Sequence, residues 1–127
     1  MKRNLIALVA AFVSTLFGCS AGSHFTSLEV DAFGAEIQKP GVQLVDVRTP
    51  AEYDSAHIPG AINIDVMADD FEQNIKVLSK KHTVAVYCRS GARSKTAAHA
   101  LAEKGFRVYE LNKGFMNWNE PRTVPTE

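Results

Sequence analysis

The chain has 127 residues, 46% hydrophobic and 22% charged, which is one domain's length and an ordinary globular composition. That excludes a fibrous or intrinsically disordered chain. Its 14 Lys and Arg balance 14 Asp and Glu, so it lacks the basic footprint of a nucleic-acid binder, and any positive field is local.

Lys2 and Arg3 open the chain, and Leu5 to Phe17 is an apolar run of 13 residues. A bilayer-spanning helix needs roughly 20. A positive start, a short apolar core and small residues after it read as a secretory signal over residues 1–18. No amphipathic period interrupts the run, which argues against an N-terminal core helix. Leu16-Phe17-Gly18-Cys19 resembles the bacterial lipoprotein processing site, in which the cysteine becomes the lipidated first residue; Phe17 is bulky for its position. Ordinary cleavage near Ala21-Gly22 is the competing reading. Lipidation at Cys19 implies a protein that is exported, to the periplasm or cell surface, and held on a membrane by its acyl chains. Residues 19–25 then form a tether and 26–127 the folded domain. Losing residues 1–18 removes Lys2 and Arg3, which leaves 12 basic against 14 acidic residues and a formal charge of −2.

Beyond the tether, Leu28, Phe33 and Ile37 fall at near-helical spacing, and Lys39-Pro40-Gly41 ends that helix. Val42 to Val47 reads as a buried strand. Thr49 caps a short helix with Pro50 at its first position. His57-Ile58-Pro59-Gly60 is a turn, and Ala61 to Ile64 a short strand. Phe71, Ile75 and Leu78 mark a longer helix. Thr83 to Tyr87 is a third strand, Ser94 to Lys104 a helix closed by Gly105, and Arg107 to Leu111 a fourth strand. A last short helix surrounds Phe115 to Trp118. Strands that are apolar runs, alternating with helices, predict an α/β domain whose central sheet is mostly parallel and covered by helices on both faces. Ligands of such sheets sit beyond the carboxyl ends of the strands. Cys88 occupies one such end and Asp46 to Arg48 another.

The chain has two cysteines, Cys19 and Cys88. With Cys19 lipidated, Cys88 has no disulfide partner, and a lone thiol in an oxidising compartment calls for a purpose. In Cys88-Arg89-Ser90-Gly91-Ala92-Arg93-Ser94 a strand ends, a loop curls and a helix begins. The first turn of a helix offers free N–H groups and partial positive charge, and successive loop amides can wrap an anion. Gly91 permits backbone angles closed to other residues. Arg89 and Arg93 add fixed charge. Together these favour a thiolate, the reactive form of cysteine, over an inert buried thiol. Metal binding lacks support: there is no CxxC, and His24, His57, His82 and His99 form no ligand-spaced cluster.

Two chemistries fit such a loop. Cysteine-dependent phosphatases and arsenate reductases share the layout with a loop one residue longer. Here four residues separate Cys88 from Arg93, a tighter cradle suited to a single terminal sulfur rather than a phosphoryl group. The sequence resembles a single-domain rhodanese, a sulfurtransferase. The resemblance is carried, in order, by Leu44 to Arg48 (LVDVR), Glu52-Tyr53, His57 to Ile64 (HIPGAINI), the loop CRSGARS, and Gly114 to Trp118. Ala56 and Lys113 depart from the glycines the family commonly has there.

The resemblance implies a rhodanese-like fold and a two-step transfer. Cys88 takes sulfur from a small anionic donor such as thiosulfate, holds it as a persulfide, and passes it to a nucleophile such as cyanide or a thiol. It implies no metal and no organic cofactor. Arg89, Ser90, Gly91, Ala92 and Arg93 form the substrate-binding loop, with Arg93 fixing it or meeting the donor and Arg89 outward. Asp46, Arg48 and Ser94 support it; Glu52 is expected to join Arg48. His57 reads as turn structure and Trp118 as packing. A rhodanese-like module that binds a partner or senses oxidants without turnover is the non-enzymatic alternative.

Overall fold

The computed structural model describes residues 24–121; the expected signal and Cys19 lie outside them. Among the described residues, five strands form one parallel sheet: β1 (Thr26–Leu28), β2 (Gln43–Asp46), β3 (Ile62–Asn63), β4 (Val84–Tyr87) and β5 (Val108–Leu111), in the order β1-β5-β4-β2-β3. The helices are α1 (Val30–Ile37), α2 (Pro50–Ser55), α3 (Phe71–Asn74) and α4 (Ala92–Glu103), with 3-10 turns at Ile75–Val77 and Phe115–Asn117. None of the described helices is long and apolar enough to cross a membrane.

The apolar strands are apolar because both faces of the sheet are covered. In β4 every residue is buried. Val84 and Val86 face a layer built from Ala97, Ala98, Leu101 and Ala102 of α4 with Phe71 and Ile75; Cys88 continues onto that face. Ala85 and Tyr87 face the opposite layer, with Phe33 of α1, Ile58, Phe115 and Trp118. Each fully buried Val, Leu or Phe side chain contributes about 1.5–3 kcal/mol. The run of alanines lets α4 lie close on the central strands, which brings its N-terminus to the end of β4. At its other end, Phe106 N–H bonds Leu101 C=O and Gly105 N–H bonds Ala102 C=O, the paired bonds that close a helix on a glycine.

Three details differ from the sequence expectation. First, β1 was not anticipated. It is three residues long at the sheet edge, with Thr26 and Ser27 exposed, too short and polar for a period to show. It pairs with β5, and Phe25, assigned to the tether, packs partly buried against the α4 layer. Second, the helix expected over Phe71 to Leu78 is one turn that tightens to 3-10. The Gln43 amide accepts from Ser79 N–H at 2.8 Å and donates to Ser79 C=O at 2.9 Å, drawing the chain off the helical path. Third, α4 starts at Ala92 rather than Ser94, because Gly91 takes the position before the helix with a positive φ of 103°.

Candidate active site

The carboxyl ends of β2, β4 and β5 converge around Cys88. Backbone bonds lock the loop from outside: Phe115 N–H donates to Cys88 C=O at 2.8 Å and Met116 N–H to Arg89 C=O at 3.0 Å. Cys88 is free, buried and only 1% exposed. Gly91 N–H donates to Cys88 Sγ at 3.1 Å, and Ser94 Oγ lies 3.5 Å from Sγ. The amide at the start of α4 therefore aims at the sulfur, where the helix dipole adds positive potential. Gly91 is required twice over: its φ is positive, and a Cβ would sit 2.0 Å from Asn112 O.

The supporting residues divide into two groups. Asp46 and Arg48 form a buried pair at the end of β2. Arg48 Nη2 is 2.6 Å and Nε 2.9 Å from the carboxylate, and Arg48 N–H donates to it at 3.0 Å. Burial works against the Arg48 charge, yet the hydrogen bonds and charge of Asp46 outweigh it and raise the guanidinium pKa. Arg48 also donates to Ala56 C=O at 2.7 Å and stacks 4.5 Å over the Phe115 ring, next to the bond that holds Cys88 C=O. Tyr87 OH accepts from Ile58 N–H at 3.0 Å, pinning the His57–Gly60 turn to β4. Burial, with the charge of Asp46, pushes the Tyr87 phenol pKa up, so it stays neutral.

The second group holds α4. Glu52 does not join Arg48; it makes a two-point pair with Arg93 at 2.7 and 3.0 Å. Thr49 and Glu52 form a reciprocal cap at the start of α2, which aims the carboxylate at the loop. The Arg93 bond, opposed by partial burial and aided by Thr49, holds the Glu52 carboxyl at about 2, against an ordinary 4.5. The pair ties the first turn of α4 to the start of α2. Ser94 does not cap α4; it is fully buried between Cys88 and Glu110. Ser90 and Arg89 are exposed, Gly91 is buried, and Ala92 faces solvent. His57 stacks on Tyr53 at 3.8 Å, and Trp118 packs edge-on against Phe33. Lys113 lies at the surface, near Glu29.

A carboxyl group with a lowered folded pKa stabilises the fold fully above its unfolded value. That stabilisation is lost as pH falls toward the folded value. Glu52→Gln is therefore expected to lower stability by about 1 kcal/mol at neutral pH. The difference should shrink to nothing between about 4.5 and about 2. Urea denaturation of both proteins across that range checks it; a difference constant with pH contradicts it.

Two site residues escaped the sequence reading, Glu110 and Lys95. Glu110 is completely buried, and Lys95 Nζ ties Gly91 C=O (3.2 Å), Asn112 C=O (3.1 Å) and Glu110 (3.1 Å) together. The available signal was a glutamate inside the apolar strand Val108–Leu111. Outside the loop, a cleft of about 490 Å³ is lined by Arg48, Glu52, Arg89, Phe115 and Met116 among others. Among the described residues, no group of three or more His, Cys, Asp and Glu side chains is placed to hold a metal ion.

Comparison with known proteins agrees with this architecture. The chain is 32% identical over 97 residues to thiosulfate sulfurtransferase GlpE of Tolumonas auensis, covering 76% of this chain and 90% of that one. It is 38% identical over 78 residues to a sulfurtransferase of Allochromatium vinosum, covering 61% and 71%. The crystal structure of a rhodanese-like domain protein from Staphylococcus aureus superposes with a TM-score of 0.71 at 25% identity, covering 80% of this chain and all of that one. Residues 29–121 match the rhodanese-like domain, from the start of α1 through the cysteine loop to the turn after β5, and the chain belongs to that family.

Proposed function

We propose that the protein is a sulfurtransferase working through a Cys88 persulfide. The observation that carries this is a buried cysteine at a strand end, with Gly91 N–H on its sulfur at 3.1 Å in a six-residue loop. In the first step, a lone pair of the Cys88 thiolate forms a bond to the outer sulfur of thiosulfate. The donor S–S bond breaks, and its electron pair leaves with sulfite. The persulfide carries its negative charge on the outer sulfur, within the field of the loop and the α4 N-terminus. In the second step, cyanide or a thiol attacks that sulfur and Cys88 departs as thiolate. No metal or organic cofactor enters this scheme.

Support also comes from the rim. Arg48 is committed to Asp46 and Arg93 to Glu52, whereas Arg89 is exposed and has no ion pair among the described residues. Arg89 is the cation that meets an anionic donor. Arg89→Ala is expected to raise the KM for thiosulfate about three- to tenfold with kcat nearly unchanged, the mark of binding shared by ground and transition states. Steady-state kinetics with thiosulfate and cyanide test the function itself. Parallel double-reciprocal lines support a covalent intermediate. Intersecting lines, or no turnover with thiosulfate beside turnover of an aryl phosphate that depends on Cys88, contradict it.

The proposal includes an exported protein held to a membrane by lipid on Cys19, resting on the apolar run and the processing-site pattern. The mass of the N-terminal peptide from membrane-isolated protein decides between lipidation and a cut near Ala21.

A further inference from the structure

Glu110 is completely buried, and the chemistry above gives it no part. Its neighbours all donate. Ser27 Oγ donates to Oε1 at 2.5 Å, Lys95 Nζ lies 3.1 Å from the same oxygen, and Ser94 Oγ donates to Oε2 at 2.6 Å. The carboxylate is thus an acceptor at both oxygens. A serine hydroxyl has a single hydrogen. With that hydrogen on Oε2, Ser94 offers only lone pairs to its other neighbour, Cys88 Sγ at 3.5 Å. The bond between them therefore runs one way: the thiol S–H donates and Ser94 Oγ accepts.

We propose that Glu110, acting through Ser94, withholds the Ser94 hydrogen from the Cys88 sulfur and so biases the site toward capturing and holding sulfur rather than releasing it, an inference that rests on the sulfur-transfer reading. In capture, a lone pair on Sγ forms the new S–S bond while sulfite leaves with the donor's electron pair. A hydroxyl hydrogen on Sγ would draw further on the thiolate's charge, beyond the Gly91 N–H already there, and so weaken the nucleophile and slow the attack. In release, the acceptor bonds the outer sulfur and the Cys88–sulfur electron pair returns to Sγ. A hydroxyl hydrogen there would stabilise the departing thiolate and speed release. Between the steps the charge sits on the outer sulfur, so the persulfide forgoes nothing at Sγ. Glu110 touches neither donor nor sulfur, which makes it a positioning residue. Glutamine has the same shape, but its NH₂ can donate to Ser94 Oγ and free the serine hydrogen to turn to sulfur.

The test measures the two half-reactions separately in the full chain, at a pH where neither rate still rises with pH. Loading by thiosulfate and release to cyanide are each followed in a single turnover. Glu110→Gln is expected to load more slowly and release faster, changing the ratio of the two rates by about fivefold, the worth of one hydrogen bond. Ser94→Ala and the Ser94→Ala/Glu110→Gln double variant should match each other in both steps. Equal slowing of both steps, no change in either, or additive effects in the double variant overturns the proposal. The S–H infrared band of the thiol form reads the bond's direction without any sulfur transfer. It should lie lower in wild type than in Ser94→Ala; identical bands overturn the proposal even where Glu110→Gln does not fold. Wild-type protein that never loads sulfur overturns the sulfur-transfer reading and the bias with it, while the band still reports the hydrogen bond.

Discussion

Gly91→Ala is expected to lower sulfur-transfer turnover by about a hundredfold or more, the scale of losing an aimed backbone donor. The new Cβ would meet Asn112 O at 2.0 Å, and a backbone oxygen cannot move aside as a flexible side-chain tip can. The residue's φ of 103° adds strain of about 1–3 kcal/mol for any side chain. The loop must shift, and the Gly91 N–H leaves the line to Cys88 Sγ. Gly105→Ala is the matched control. Its φ of 97° imposes similar strain at the far end of α4, but nothing lies within 4 Å of the added atom. It should lose stability and keep most of its turnover. Equal turnover in the two variants, measured with thiosulfate and cyanide, contradicts the role given to the Gly91 amide.

Asp46→Ala should have the largest effect on stability, about 3–5 kcal/mol, because it leaves the buried Arg48 guanidinium without its counter-charge. Arg48 is only 5% exposed and lies 4.5 Å over the ring of Phe115, whose backbone N–H holds the cysteine loop, so a stranded guanidinium disturbs that contact. Activity should fall with stability. An Asp46→Ala/Arg48→Met double variant is expected to be more stable than Asp46→Ala alone, since it removes the stranded charge as well as its partner. Urea denaturation of the three proteins reads this directly, a domain of this size being suited to two-state treatment. A double variant less stable than the single one contradicts it.

The parts of the fold legible in the sequence are those with local causes. Thr49-Pro50 with Glu52 specifies the start of α2 through a cap made within four residues. Gly105 closes α4, and the apolar runs of β2, β4 and β5 reflect burial on both faces. The strand-end position of Cys88 follows from these. What stayed hidden depends on distant partners. β1 exists because β5 offers it an edge, and nothing within Thr26–Leu28 alone demands extended structure. The shortening of the helix after Phe71 is imposed by Gln43, 36 residues before Ser79 in the chain. Glu52 was assigned to Arg48, near in sequence, when its partner is Arg93, 41 residues away across the site. Glu110 stands out as a glutamate in an apolar strand, but its partners do not: Ser27, Ser94 and Lys95 come from another strand and from α4, and only folding assembles them.

The central claim is that Cys88 carries sulfur covalently, and intact mass spectrometry tests it most directly. The protein is incubated with thiosulfate, freed of excess donor and weighed. Wild type should gain the mass of one sulfur atom and lose it again on addition of cyanide, while Cys88→Ala gains nothing. No adduct on wild type, or an equal adduct on Cys88→Ala, would contradict the account.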